Sequence, residues 1–141
     1  MKTGFRKVAV AIAATAIAAP ALAEGLTLTV DGVRNADGAV LVLVFDHPDA
    51  FAYLDWRYAV KYAEIPARVG QVTHHFPDLT GGPYALFVFH DENGDKDLNY
   101  DSERVLEGVG ASGATTPTAE PDFDEAAVRP GAVTVPLFYD Q

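Results

Sequence analysis

A chain of 141 residues that is 49% hydrophobic and 21% charged is one folded domain's worth of protein, not a disordered polymer. Its 10 Lys+Arg against 20 Asp+Glu give a net charge of −10, which argues against nucleic acid and anionic membrane surfaces as partners. Cysteine is absent, so disulfides, thiol nucleophiles and cysteine metal clusters are excluded.

Residues 1–23 read as a Sec-type secretory signal peptide. Lys2, Arg6 and Lys7 form a positive start, Val8 to Ala19 is an uncharged apolar run, and Ala21-Leu22-Ala23 is a small-x-small cleavage site. The run is shorter than the ~20 residues of a spanning helix, and Pro20 breaks it. Cleavage after Ala23 sends the protein to the periplasm or outside the cell, without membrane insertion. No cysteine follows the site to carry a lipid. Removing this segment leaves 7 basic against 20 acidic residues, a net of −13.

The remainder, 24–141, is expected to be one domain built from short strands. Leu26, Leu28 and Val30 alternate with polar residues. Residues 39–45 are apolar throughout and β-branched, which predicts a central strand covered on both faces. Residues 49–56 are the one plausible helical turn, with Phe51, Leu54 and Trp56 toward the core. Tyr58, Val60 and Tyr62 alternate again, 69–76 is a further strand, and 84–89 is a second fully apolar one. Residues 90–121 carry no apolar period and read as one long polar loop. Residues 123–128 predict a weak strand and 132–139 the last. About seven short strands separated by turns describe an all-β fold, an antiparallel β-sandwich. Leu43 and Phe87 are its expected buried centres. A structureless segment as long as 90–121 is usually functional.

The stretches Asp78-Leu79-Thr80-Gly81-Gly82-Pro83-Tyr84-Ala85, His90-Asp91-Glu92-Asn93-Gly94, Glu107-Gly108-Val109-Gly110 and Pro121-Asp122-Phe123-Asp124-Glu125-Ala126-Ala127 together resemble the exported bacterial family DUF2141 over nearly all of the mature chain. The resemblance implies a periplasmic or secreted β-sandwich similar to transthyretin-like and immunoglobulin-like domains. It implies no activity. The chain departs from the family pattern in having Val109 and Ala111 within the glycine motif, and Lys96 where a glycine is usual.

The acidic segment is the main candidate site. Oxygen-bearing side chains fall at Asp91, Asn93, Asp95, Asp97 and Asn99, every second residue, with Asp101 beyond. A hard cation such as Ca²⁺ takes six to eight oxygens from a curled loop, and D-x-N-x-D opens an EF-hand loop. Asp91, Asn93, Asp95, Asp97 and Asp101 are the candidate ligands. Two features oppose this. Lys96 stands where such loops need glycine for the sharp turn, and Ser102 where they place a bidentate glutamate. The competing reading is a solvated acidic turn. Against that, seven acids between Asp91 and Glu107 face only Lys96 and Arg104.

Other candidates carry less. His47 and His90 each end an apolar strand and would suit Zn²⁺ or Cu²⁺ only if those ends met. His74 and His75 are neighbours on one strand and point to opposite faces. Gly110-Ala111-Ser112-Gly113 is one residue short of a nucleophile elbow and lacks its strand-to-helix turn. Phe51, Tyr53, Trp56, Tyr58 and Tyr62 are either core or a platform for carbohydrate or peptide. The sequence thus predicts a monomeric, non-enzymatic binding module with Ca²⁺ in the 91–103 loop and an unknown protein or small ligand as partner. The alternatives are an interaction domain without ligand and a carboxylate-based hydrolase.

Overall fold

The computed structural model describes residues 24–140, and before them only Gly4 and Ala11, so the expected signal peptide lies almost wholly outside the described residues. Alternation along Leu26–Val33 (β1) sends Leu26, Leu28 and Val30 inward and Thr27 and Thr29 to solvent. β1 sits at the centre of a three-stranded sheet, antiparallel to Gly70–Phe76 (β4) and parallel to Gly131–Pro136 (β9). The second sheet has Ala39–Phe45 (β2) and Ala85–Asp91 (β5) at its centre. Lys61–Pro66 (β3) and Gly108–Ala111 (β8) form its edges, all antiparallel. The fold is therefore the expected all-β sandwich of antiparallel strands, with one parallel pair where the chain returns to β1.

The two sheets enclose one core made of Leu26, Leu28, Val30, Val40, Val42, Val44, Leu86, Val88 and Val135 with their neighbours. The opposite face of the four-stranded sheet is covered as well, which is why β2 and β5 read as unbroken apolar runs. There Leu43, Phe45 and Ala85 meet Ala50 and Phe51 of Pro48–Ala52 (α1), and Phe123 and Ala126 of Phe123–Ala126 (α2). Phe51 contacts the rings of Phe45 and Phe123 edge-on. Leu43 is buried as expected, but Phe87 lies on this outer face and is only partly covered.

Three further expectations change. Residues 123–128 begin with a helical turn instead of a weak strand. Asp122 accepts from the Glu125 N–H, and the Glu125 carboxylate accepts from the Asp122 N–H, a reciprocal cap that fixes the turn and buries Phe123 and Ala126 together. Trp56 does not face the core; it is 71% exposed, in the 3₁₀ turn Trp56–Tyr58. The segment 90–121 is not one loop. It holds a hairpin of Tyr100–Asp101 (β6) with Arg104–Val105 (β7), and then β8.

β8 is glycine-rich for a packing reason. Gly108 and Gly110 pair with His90 and Val88 and so point toward the other sheet. A methyl at Gly108 would run into the Tyr139 ring, and one at Gly110 into the Pro136 carbonyl and Val135. The missing side chains let the end of the chain lie directly on β8, where Val109 and Phe138 exchange backbone hydrogen bonds. Among the described residues no helix is long and apolar enough to cross a membrane.

The two faces of β5 give a test of this packing. Leu86→Ala, in the enclosed core, is expected to cost about 2–5 kcal/mol by leaving a cavity. Phe87→Ala, on the half-covered face, is expected to cost less than Leu86→Ala in the same denaturant titration. The reverse order would mean that the faces of β5 are exchanged.

Candidate metal centre

The register of β5 with β8 builds the site. Phe87 pairs with Ala111, Phe89 with Val109 and His90 with Gly108. One step further along the same ladder, Asp91 stands opposite Glu107, both on the face away from the core. Directly opposed like charges destabilise a sheet, and both residues are buried, Asp91 at 2% and Glu107 at 5% exposure. Asp95 completes a group of three. One carboxylate oxygen from each of Asp91, Asp95 and Glu107 lies within 4.8 Å of the other two.

The loop reaches this arrangement by folding onto its own carboxylates. Asp91 Oδ1 accepts from the Gly94 N–H at 2.9 Å and Oδ2 from the Lys96 N–H at 2.9 Å. Asn93 Oδ1 accepts from the Asp95 N–H, and Asp95 Oδ1 from the Asp97 N–H. Asp95 Oδ2 accepts from the amides of Asn99 at 2.8 Å and Asn93 at 3.1 Å. Lys96 adopts φ +63°, the left-handed turn that a glycine would make without strain. The sharp turn of the D-x-N-x-D loop therefore forms despite the lysine. The Lys96 ammonium reaches out of the loop to Glu64 at 2.9 Å.

Of the expected ligands, Asp91 and Asp95 join the group, and Asn93 borders it through its bond to Asp95. Asp97 contributes its backbone N–H, and Asp101 sits in the exposed β6–β7 hairpin beside Ser102; neither carboxylate belongs to the cluster of three. Glu107 lies outside the alternating pattern that marks the candidate ligands, and Asn99, though part of that pattern, is not among them. Glu107 lies sixteen positions beyond Asp91, and only recognition of Glu107-Gly108-Val109-Gly110 as a strand antiparallel to β5 would have found it.

Glu107 is the anomalous group. Its Oε2 accepts from the Asn99 N–H at 3.3 Å, but its buried Oε1 has no hydrogen-bond partner among the described residues. Buried unsatisfied oxygens are rare and costly. Burial pushes the Glu107 carboxyl up to about 6; the Asn99 N–H opposes this, and the charges of Asp91 and Asp95 add to it. Asp95 moves the other way, held below the usual carboxylate range by the Asn99 amide and the Asp97 N–H.

The flanking residues of His90-Asp91-Glu92-Asn93-Gly94 anchor the loop. His90 is fully buried. Its Nε2 faces the Asp37 carbonyl at 2.7 Å, an acceptor only, so Nε2 carries the proton and Nδ1 accepts from the Tyr139 hydroxyl at 2.8 Å. Burial opposes ionisation of Glu92, but the Arg34 guanidinium at 2.6 Å and the Asn35 amide outweigh it and hold its carboxyl low. Arg34 also covers the Tyr139 ring at 4.5 Å.

The other candidates separate. Because β2 and β5 are antiparallel, with Ala39 beside Asp91 and Phe45 beside Ala85, His47 and His90 lie at opposite ends of the sheet, about 20 Å apart at ~3.4 Å per residue. His47 instead caps α1 by accepting the Asp49 N–H. His74 packs on Phe76, and His75 faces out to Thr27, on opposite faces as expected. Ser112 is buried, and its Oγ accepts the Leu86 N–H; it is a strut for β5.

A family model described as an uncharacterised protein conserved in bacteria, DUF2141, matches residues 28–135. No curated protein matches the chain, and no solved structure does.

The Glu107 environment predicts a pH dependence in metal-free protein. A carboxyl raised from its ordinary 4.5 to about 6 binds its proton more tightly folded than unfolded. Its stabilising contribution is therefore complete below pH ~4.5 and lost as pH rises through ~6, amounting to about 2 kcal/mol. Unfolding measured in EDTA from pH 4.5 to 7.5 should show this loss in the wild type relative to Glu107→Gln, which cannot ionise. Parallel curves for the two proteins would show that Glu107 is not held in a charge-averse site.

Proposed function

The chain belongs to the DUF2141 family, to which no activity is attached, and we propose from the site itself that it is an exported, non-enzymatic binding module whose acidic loop takes up Ca²⁺. The observation that carries this reading is the unpartnered buried Oε1 of Glu107 beside Asp91 and Asp95. Three carboxylates in one small space repel each other, and a divalent cation removes both that repulsion and the cost of the bare oxygen. An all-oxygen donor set with no cysteine or histidine suits a hard cation over Zn²⁺ or Cu²⁺. Asn93 and Asn99 sit at the rim, where rotating their amides would present oxygens.

Export rests on residues 1–23, whose charge pattern, apolar run and Ala21-Leu22-Ala23 suit a cleaved signal. Extracytoplasmic Ca²⁺ modules commonly bind at 10⁻⁴–10⁻³ M, and concentrations of that order are met outside the cytoplasm. A non-enzymatic role is supported by the use of the side chains that might do chemistry. His47, His90 and Ser112 are all committed to holding the fold.

Calcium titration of the mature domain tests the binding. At ~10 mM Ca²⁺ with Kd ~1 mM the gain is about 1.4 kcal/mol, a melting shift of about 5 °C. Mg²⁺ should give less, because it demands octahedral geometry and dehydrates reluctantly. Asp91→Asn, Asp95→Asn and Glu107→Gln should each abolish the shift. Lys96→Gly should enhance it by removing a positive charge from the loop. NaCl at matched ionic strength separates site binding from screening. If NaCl reproduces the shift, or if Glu107→Gln keeps it, the loop is a solvated turn and the domain is an interaction module without a cation.

Intact mass of the exported protein tests processing. The expected species begins at Glu24; a membrane-bound species that keeps Lys2 would overturn cleavage.

A further inference from the structure

At the opposite end of β2 from the acidic loop, the chain turns through Asp46 and His47 into α1 and the 3₁₀ turn, enclosing an open cleft of about 440 Å³. Its walls include Asp46, His47, Asp49, Tyr53, Asp55 and Tyr58. The rings are strongly exposed, Tyr53 at 84% and Tyr58 at 67%. Large aromatic surface left in water at one place marks a contact site more often than it marks packing. The turn between the two helical segments is strained, with Leu54 at φ +46°. A glycine would take this conformation without strain; the leucine takes it while packing against the Phe51 and Phe123 cluster. That holds Tyr53 and Tyr58 outward on a fixed frame.

The chemistry of the walls selects a cation. Asp46 and Asp49 carry no ion pair or side-chain hydrogen bond among the described residues. His47 Nδ1 is engaged by the Asp49 N–H. Asp55 already shows what these walls hold. It takes the Arg57 guanidinium through two parallel bonds of 2.8 and 2.7 Å, and that guanidinium lies 6.0 Å from the centre of the Tyr58 ring. A carboxylate fork beside an aromatic face is the usual receptor for a guanidinium. The same cleft is lined by Asp46, Asp49 and Tyr53, the same residue types, and these carboxylates hold no cation of the chain among the described residues.

We propose that this cleft is a docking site for an arginine-bearing peptide segment of a partner protein, with the guanidinium between Asp46 and Asp49 and its flank on Tyr53. The site is independent of the cation centre, since the two lie at opposite ends of β2. Electrostatic attraction to the acidic domain brings the segment in, and the fork gives arginine its preference over lysine.

The chain's single tryptophan, Trp56, is exposed beside the cleft and reports on it. The experiment titrates the mature domain, in EDTA, with N-acetylated, C-amidated Arg-Gly-Arg while following Trp56 fluorescence. The expected result is saturable binding in the millimolar range, weaker for Lys-Gly-Lys and lost for the neutral citrulline analogue. Asp46→Asn with Asp49→Asn, and separately Tyr53→Ala, should each weaken it about tenfold or more. Glu103→Gln with Glu120→Gln, exposed charges outside the cleft, should leave it unchanged. No saturable response, equal binding of the citrulline peptide, or equal weakening by the Glu103 and Glu120 changes would overturn the proposal. So would a fluorescence response to cello- or chito-oligosaccharides that exceeds that of the peptide, which would make the cleft a sugar platform. Circular dichroism of each variant confirms that it is folded before its result is read.

Discussion

The pairing of His90 with Gly108 is the contact on which most of this structure depends. It fixes which residues of β8 face the sandwich and which face out. Inward, it places two glycines under the returning chain, so that the Tyr139 ring packs against Gly108 and its hydroxyl reaches His90. Outward, it sets Glu107 against Asp91. A slip of one residue would send every β8 side chain to the other face. The Tyr139 ring would then collide with a side chain, and the carboxylate pair would be dispersed. The same register therefore closes the edge of the sheet and concentrates negative charge.

His90 ties three separate stretches of chain into one buried knot. Its two nitrogens engage the 34–38 turn and the C-terminal segment, and its neighbour Glu92 holds Arg34, which in turn covers Tyr139. Asp91 is thus presented from a rigid base, with its oxygens already turned into the loop by the Gly94 and Lys96 amides. A fixed anchor of this kind lowers the entropy cost of ordering the rest of the loop. The remainder of the loop is held by bonds among its own polar side chains, most of them exposed. Such bonds exchange readily with water and contribute little to stability by themselves. The loop's geometry thus depends on Asp91 and Glu107 more than on its own internal bonds.

The two ends of β2 carry different chemistry on one frame. One end sets the buried Asp91 and Glu107 beside the exposed Asp95, with Glu107 Oε1 lacking a hydrogen-bond partner among the described residues. The other spreads carboxylates among exposed rings. Burial decides the difference: carboxylates withdrawn from water repel each other across a poorly screened space, whereas the open ones beside exposed rings stay hydrated and screened. The negative charge of this acidic chain is in this way divided between two regions of different burial.

The sequence by itself determined the fold class and the start of the acidic site. Alternation in β1 and the unbroken apolar runs of β2 and β5 are local consequences of which faces are buried, so they could be read without coordinates. Asp91, Asn93 and Asp95 were legible because their spacing lies within one loop. The D-x-x-E cap at Asp122 and Glu125 was present as a signal, but the residues after it read as a strand. What only the tertiary structure decided was β8, Glu107 and the fate of the aromatics. Gly108-Val109-Gly110-Ala111 has almost no strand propensity of its own; it is extended because β5 and Tyr139 hold it there, a long-range effect that no local pattern carries. Glu107 inherits its place from that pairing. Tyr53, Trp56 and Tyr58 have the same composition as a core segment, and only the short α1 turn, which has room to bury Phe51 alone among these rings, turns the others toward water.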